Sequence, residues 1–141
     1  MVANCLDCMN ISILLFDFGL VVLAWMVQLV VYPSFAYYAP SDLKRWHVLY
    51  TKRISMLVIP LMIGQLLLHG MLLVWHPDNV SITTFALVAG IWVSTFLQAV
   101  PLHNQIADSP DTENIARMLK KVNTARTLAW TMVFLLTLTY F

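Results

Sequence analysis

Trp46-His47-Val48-Leu49-Tyr50-Thr51-Lys52-Arg53 is the stretch on which the reading of this chain turns. It is followed at once by a mostly apolar run from Ile54 to Trp75. About twenty such residues, rising about 1.5 Å each as a helix, match a hydrocarbon core about 30 Å thick. The stretch therefore sets an imidazole, a phenol and a guanidinium at the mouth of a membrane span. Just upstream, Pro40-Ser41-Asp42 reads as a helix start with Ser41 as N-cap. No breaker intervenes before Pro60. One helix is expected to begin outside the membrane, over about 41–53, and to run in as the span 54–75. Pro60 and Gly64 fall in mid-span, where proline frees a backbone carbonyl and commonly kinks a helix.

Composition agrees with a membrane protein. The 141 residues are 60% hydrophobic and 11% charged, with mean hydropathy +0.78, against about 25% charge in soluble domains. The length suits one domain. A net charge of +1 offers no basic field to nucleic acid. The first apolar run lacks Lys and Arg before it and shows no small-residue cleavage site after it. It is therefore read as a retained span and not as a secretory signal.

Outward from the central stretch, three further spans are expected, over about 11–31, 81–101 and 122–141. Tyr32-Pro33 should end the first, because the residue before proline is pushed from helical geometry. His76-Pro77-Asp78-Asn79 reads as a tight polar turn. Asp108-Ser109-Pro110-Asp111 reads as a second turn and helix start, with Ser109 or Asp111 as cap and Pro110 at the first helical position. The last helix, a cytoplasmic extension over about 111–121 that continues into the fourth span, carries Ile115, Met118, Leu119 and Val122 on one stripe. Residues 1–10 remain as a short polar tail holding Cys5 and Cys8. That spacing suits redox or metal chemistry, but a single pair without a nearby His also arises by chance.

All eight Lys and Arg (Lys44, Arg45, Lys52, Arg53, Arg117, Lys120, Lys121, Arg126) lie between spans one and two or between and at the edge of spans three and four. By the positive-inside rule both of these regions are cytoplasmic and both termini outside. The expected fold is all-α: an up-down-up-down four-helix transmembrane bundle over 11–141. The expected location is a bacterial inner membrane.

Counted by helical rise, polar residues from all four helices reach one cytoplasmic-side layer. Gln28 and Tyr32 come from the first, His47, Tyr50 and Arg53 from the second, Gln98 and His103 from the third, Asn123 and Arg126 from the fourth. Unsatisfied polar groups in a bilayer cost several kcal/mol each, so these groups should seek one another, a ligand or water. The expectation is a cavity holding His47, Tyr50, Arg53, Gln98 and Arg126, with His103 at its rim. His47 and Tyr50 are the candidate catalytic groups, His47 because it titrates near neutral pH. A second, outer layer holds Asp17, His69 and the deeper Gln65. There Asp17 needs a partner, and His69 is the nearest at its depth.

Cations, an imidazole, phenols and amides around an apolar bundle suit the head of an amphiphile: a quinone, an oxygenated aromatic or an anionic lipid. Metal or haem ligation would fall to His47 and His103 together. No His-x-x-His or Glu-x-x-His pair supports it, and the sequence requires no cofactor.

Tyr32-Pro33, Trp46-His47-x-x-Tyr50-x-x-Arg53-Ile54, Pro60-Leu61-Met62, Thr95-Phe96-x-Gln98-x-x-Pro101-Leu102-His103 and Asn123-x-x-Arg126-Thr127-x-x-Trp130 together resemble a group of small four-span bacterial membrane proteins of unknown function. That group is in turn distantly similar to the anthrone-oxygenase-like proteins. The resemblance implies a cofactor-light oxygenase with His and Tyr near an aromatic substrate; it assigns no catalytic residue and leaves out the tail with Cys5 and Cys8. Two readings follow. One is a ligand-binding protein or oxidoreductase using the cytoplasmic-side layer. The other is an accessory subunit of a respiratory or photosynthetic membrane complex, without chemistry of its own.

Overall fold

A computed structural model describes residues 2–109 and 111–141, leaving out the side chains of residues 2–5, 107 and 108. The Cys5–Cys8 pairing and the position of Pro110 thus lie outside the described residues; Cys8 is exposed. The described chain is helical with no strand, and it forms four rods. The first comprises α1 (Val2–Met26), a π-turn (Val27–Val31), the short α2 (Tyr32–Ser34) and a 3-10 turn (Phe35–Tyr37). The second is α3 (Pro40–Trp75). The third is α4 (Asn79–Ser94), a second π-turn (Thr95–Ala99) and α5 (Val100–Asp108). The fourth is α6 (Thr112–Tyr140). Three stretches, Leu6–Tyr37, Pro40–Trp75 and Asn79–Ile106, are long and apolar enough to cross a membrane.

Several boundaries differ from the sequence expectation, each for a local reason. The expected tail is helical from Val2, since nothing in residues 2–10 breaks the hydrogen-bond ladder. Tyr32-Pro33 does not end the first rod. The Tyr32 N–H reaches back to the Val27 carbonyl and the Val100 N–H to Thr95, a five-residue step in each case. Each widened turn holds the carbonyl four residues before a proline, Leu29 before Pro33 and Leu97 before Pro101, where a regular helix would clash with the ring. The chain passes both prolines by adding a residue to the turn. Ser41 is not the cap of α3: Ala39 is the N-cap and Pro40 occupies the first turn. At α4, Asp78 Oδ1 accepts from the Val80 and Ser81 N–H groups at 2.9 Å, and Ser81 Oγ accepts from the Asp78 N–H at 2.9 Å. This reciprocal cap closes the turn after α3. Asp111 caps α6 by accepting from the Asn114 N–H at 3.1 Å, while Ser109 Oγ accepts from the Asp111 N–H.

The rods pack in a ring, α1 on α3 and α6, and α4 on α3 and α6. Three apolar clusters stack along the bundle. Phe35, Leu43, Ile106, Ile115 and Leu119 fill one end. Leu20, Ala24, Met62, Ile91 and Trp130 fill the middle. Met9, Ile13 and Leu72, with Tyr140 against them, fill the other. Met118, expected on the packed stripe of α6, is 45% exposed. Gly64 lets the Phe16 ring of α1 lie against the α3 backbone, where a Cβ would collide with it. Polarity is inverted relative to a water-soluble bundle. Asp17, Gln65, His69, Asn123, Arg126 and Thr137 are buried, while Leu15, Leu29, Leu57, Leu67, Leu97 and Leu128 stand exposed.

Candidate functional site

Two polar centres occupy the interior, one above and one below the middle apolar cluster.

The first is built on Asp17 of α1, which has no solvent exposure. Its Oδ1 accepts from Gln65 Nε2 at 2.7 Å and lies 3.1 Å from His69 Nε2; its Oδ2 accepts from Thr137 Oγ1 at 2.8 Å. Gln65 and His69 are four residues apart on α3, hence one above the other on one face. Asp17 and His69 thus meet directly, and Gln65 joins them. Thr137 was not singled out from the sequence, although the spacing Asn123, Arg126, Trp130, Thr137 puts it on the same stripe of α6. A carboxylate in an apolar interior requires such donors. Gln65 turns its other end inward, where Oε1 accepts from Trp130 Nε1 at 3.1 Å.

Trp130 leads to the second centre. The Arg126 guanidinium lies over its ring, 5.0 Å from the centroid, a cation–π contact. Arg126 borders a cavity of about 400 Å³ lined by all four rods. The walls are apolar, with Leu20, Val58 and Met62 among them. Tyr32, Tyr50, His103, Asn123 and Arg126 gather at one end, with Trp92 and Trp130 beside them. Ile59 and Ile63 of α3 and Phe96 and Val100 of the third rod, all four exposed, also line the cavity. Both π-turns contribute lining, Val27 from one and Thr95 and Ala99 from the other.

Next to the cavity three side chains form a continuous hydrogen-bonded chain. Tyr32 Oη is 3.3 Å from His103 Nε2, and His103 Nδ1 is 2.8 Å from His47 Nε2. His47 is 3% exposed. Phe35 meets its ring edge-on at 5.9 Å, and Phe35 in turn meets Trp46 and Tyr50 edge-on, which holds the imidazole in place. His103 is therefore the centre of the polar end and not its rim.

Three expected members do not line the cavity: His47 lies behind His103, and Arg53 and Gln98 are elsewhere. Arg53 is exposed and outside the cavity. The buried stripe of α3 runs through Leu43, His47 and then Tyr50 and Ile54, so Arg53 falls one position off it. Gln98 is also exposed, bonded to Ser94 of its own helix at 2.8 Å. It lies in the π-turn, whose added residue rotates the inward face onto Ala99, Leu102 and His103. Gln98 instead borders a shallow groove between α4 and α6. Gln28 is buried but serves as a clamp, donating from Nε2 to Thr124 Oγ1 at 2.7 Å and accepting from Asn123 Nδ2 at 2.9 Å.

For metal ligation, no group of three His, Cys, Asp or Glu side chains is suitably placed among the described residues. The imidazoles of His47 and His103 meet as a hydrogen bond. Two nitrogens bound on opposite sides of one ion would stand about 4 Å apart.

Two buried donors at the cavity have no hydrogen-bond partner, Arg126 Nε and Trp92 Nε1. Trp92 was missed in the sequence because an indole in an apolar run carries no pattern of its own. No family model matches the chain, and no curated protein or solved structure does so either.

Proposed function

We propose that this chain is a four-span integral membrane protein that takes an oxygenated aromatic or quinone-like amphiphile from the bilayer into the cavity beside Arg126. The observation that carries the reading is the apolar cavity of about 400 Å³ whose lining includes Tyr32, Tyr50, His103, Asn123 and Arg126. The polar lining residues offer partners to a ligand oxygen, and the apolar walls take the rest of the molecule. The volume falls in the range of about 300–1,000 Å³ typical of small-molecule sites. The exposed apolar residues of the lining suit a ligand that arrives sideways through lipid. Proton movement at the ligand head is what Tyr32, His103 and His47 would add to an oxidoreductase reaction, in keeping with the oxygenase-like resemblance.

Four spans with both termini outside fit the same reading. Leu128, Met132, Leu135 and Leu138 form an exposed stripe down α6, so this helix has a lipid-facing side even though its inward side carries Asn123, Arg126 and Thr137. Tyr140 donates to Asp78, which brings the chain end to the turn after α3. All eight basic residues lie towards the other end.

The test is binding in lipid nanodiscs. A short-chain quinone should quench tryptophan fluorescence saturably, through Trp92 and Trp130. Arg126→Gln should weaken binding by about tenfold or more, the worth of a charge-assisted hydrogen bond. Absence of saturable quenching by quinones and by oxygenated aromatics alike would refute the pocket.

A further inference from the structure

We propose that the cavity's ligand is a weakly acidic hydroxy-aromatic, a phenol or hydroxyquinone, which enters neutral and is held as its anion while its proton passes along Tyr32, His103 and His47. The proposal rests on the pocket reading above and goes further by fixing the ligand's charge and the fate of its proton.

The first ground is an uncompensated cation. Arg126 is 8% exposed. Among the described residues no carboxylate lies within ion-pair distance of it; the ion pair present is His69–Asp17. A buried guanidinium with a π-face on one side and no carboxylate partner favours an anionic oxygen. The second ground is access. The exposed lining residues Ile59, Ile63, Phe96 and Val100 are apolar, and a charged species pays heavily to approach through lipid. A ligand bound as an anion but admitted as a neutral molecule must ionise inside.

The proton then needs an acceptor. The titratable groups facing this end are Tyr32 from the first rod, Tyr50 from α3 with His47 behind it, His103 from the third rod and Arg126 from α6. Of these, the imidazoles can accept a proton without creating a second anion. The Tyr32–His103–His47 chain is unbroken, so neutral tautomers can be arranged with every donor facing an acceptor. With Tyr32 donating to His103 Nε2 and His103 Nδ1–H donating to His47 Nε2, one transfer proceeds as follows. The ligand O–H bond breaks and its proton goes to Tyr32 Oη. The Tyr32 proton moves to His103 Nε2, and the His103 Nδ1 proton moves to His47 Nε2. The products are a ligand anion at Arg126 and an imidazolium at His47, with Tyr32 and His103 neutral again. No electron moves, so no oxidant is needed. The flanking indoles of Trp92 and Trp130 favour an aromatic ring over an aliphatic acid.

The experiment uses 4-nitrophenol, whose neutral and anionic forms have distinct absorption, with 4-nitroanisole as the ether that cannot ionise and 1,4-naphthoquinone as a neutral ligand. The full chain is held in nanodiscs of zwitterionic lipid. Bound 4-nitrophenol should ionise about 1–3 pH units lower than the free dye, the effect expected of an adjacent Arg. Arg126→Gln should remove the shift and Arg126→Lys should retain it. Tyr32→Phe and His103→Gln should keep the equilibrium spectrum but slow appearance of the anion band after mixing, by about 10²-fold or more. If 4-nitrophenol binds and stays neutral, or if naphthoquinone binds and the phenol does not, the proposal fails and the pocket stands. If none of the three binds, both fall. An unchanged rate in both Tyr32→Phe and His103→Gln would overturn the relay.

Discussion

Asp17 shows how one buried side chain constrains its surroundings. Its two oxygens take Gln65, Thr137 and His69 from two other helices. Asp17→Asn keeps the shape but sets an amide N–H₂ against these donors. We expect it to lower stability by about 1–3 kcal/mol, the cost of leaving a buried polar group unpaired, seen as earlier thermal unfolding in detergent. Gln65 links this centre to Trp130 and so to the ring under Arg126, so the same variant should also weaken quinone binding. Asp78 poses a different test. The Tyr140 hydroxyl, followed by the Ser81 and Val80 amides, holds its carboxyl below the usual carboxylate range. A depressed carboxyl pKa contributes stability that is present above the unfolded value of about 3.9 and is lost as pH falls through the folded one. Tyr140→Phe should therefore destabilise the protein at neutral pH, and its unfolding midpoint should converge on wild type as pH drops below about 4.

Among the elements, the two π-turns decide most about the site. They lie in the first and third rods, each two residues ahead of a proline, and both line the cavity. Deleting Leu97 should close the second one to a regular turn and rotate α5 by about 100° relative to α4. His103 would then leave His47 and Tyr32. The expected outcome is loss of saturable quinone quenching with membrane insertion unchanged; retained binding would show that the widened turn serves only to pass Pro101. By contrast α3 crosses Pro60 without a widened turn, so a proline alone does not dictate this response.

At the scale of the whole molecule, orientation follows from charge and from which ends meet. With Cys5 and Cys8 replaced by Ser, a single Cys at Asn79 should react with an impermeant thiol reagent from outside. One at Ser109 should react only after the membrane is opened. Labelling of the Ser109 position from outside would overturn the topology. Native mass measurement after gentle extraction separates the two functional readings. A lone chain carrying a small aromatic ligand supports the pocket, and a stable complex with other subunits supports the accessory role.

The apolar runs, the polar turns and the clustering of basic residues are local properties, and they pointed to a helical membrane chain with helix breaks at 76–78 and at 109 without reference to packing, though not to the break near 38, which was expected at Tyr32-Pro33. Depth along a helix is also local, which is why Asp17 and His69 could be paired and why Tyr32, His47, His103 and Arg126 could be put at one level. Direction around a helix is different. It accumulates at about 100° per residue, and one added residue redirects everything beyond it. Gln98 and His103 changed places as outsider and centre for that reason, and Arg53 lost its place by lying one position off the buried stripe. The unpartnered state of Arg126 Nε and Trp92 Nε1 belongs wholly to the tertiary structure. A side chain lacks a partner only with respect to every other helix, and no single stretch of sequence holds that information.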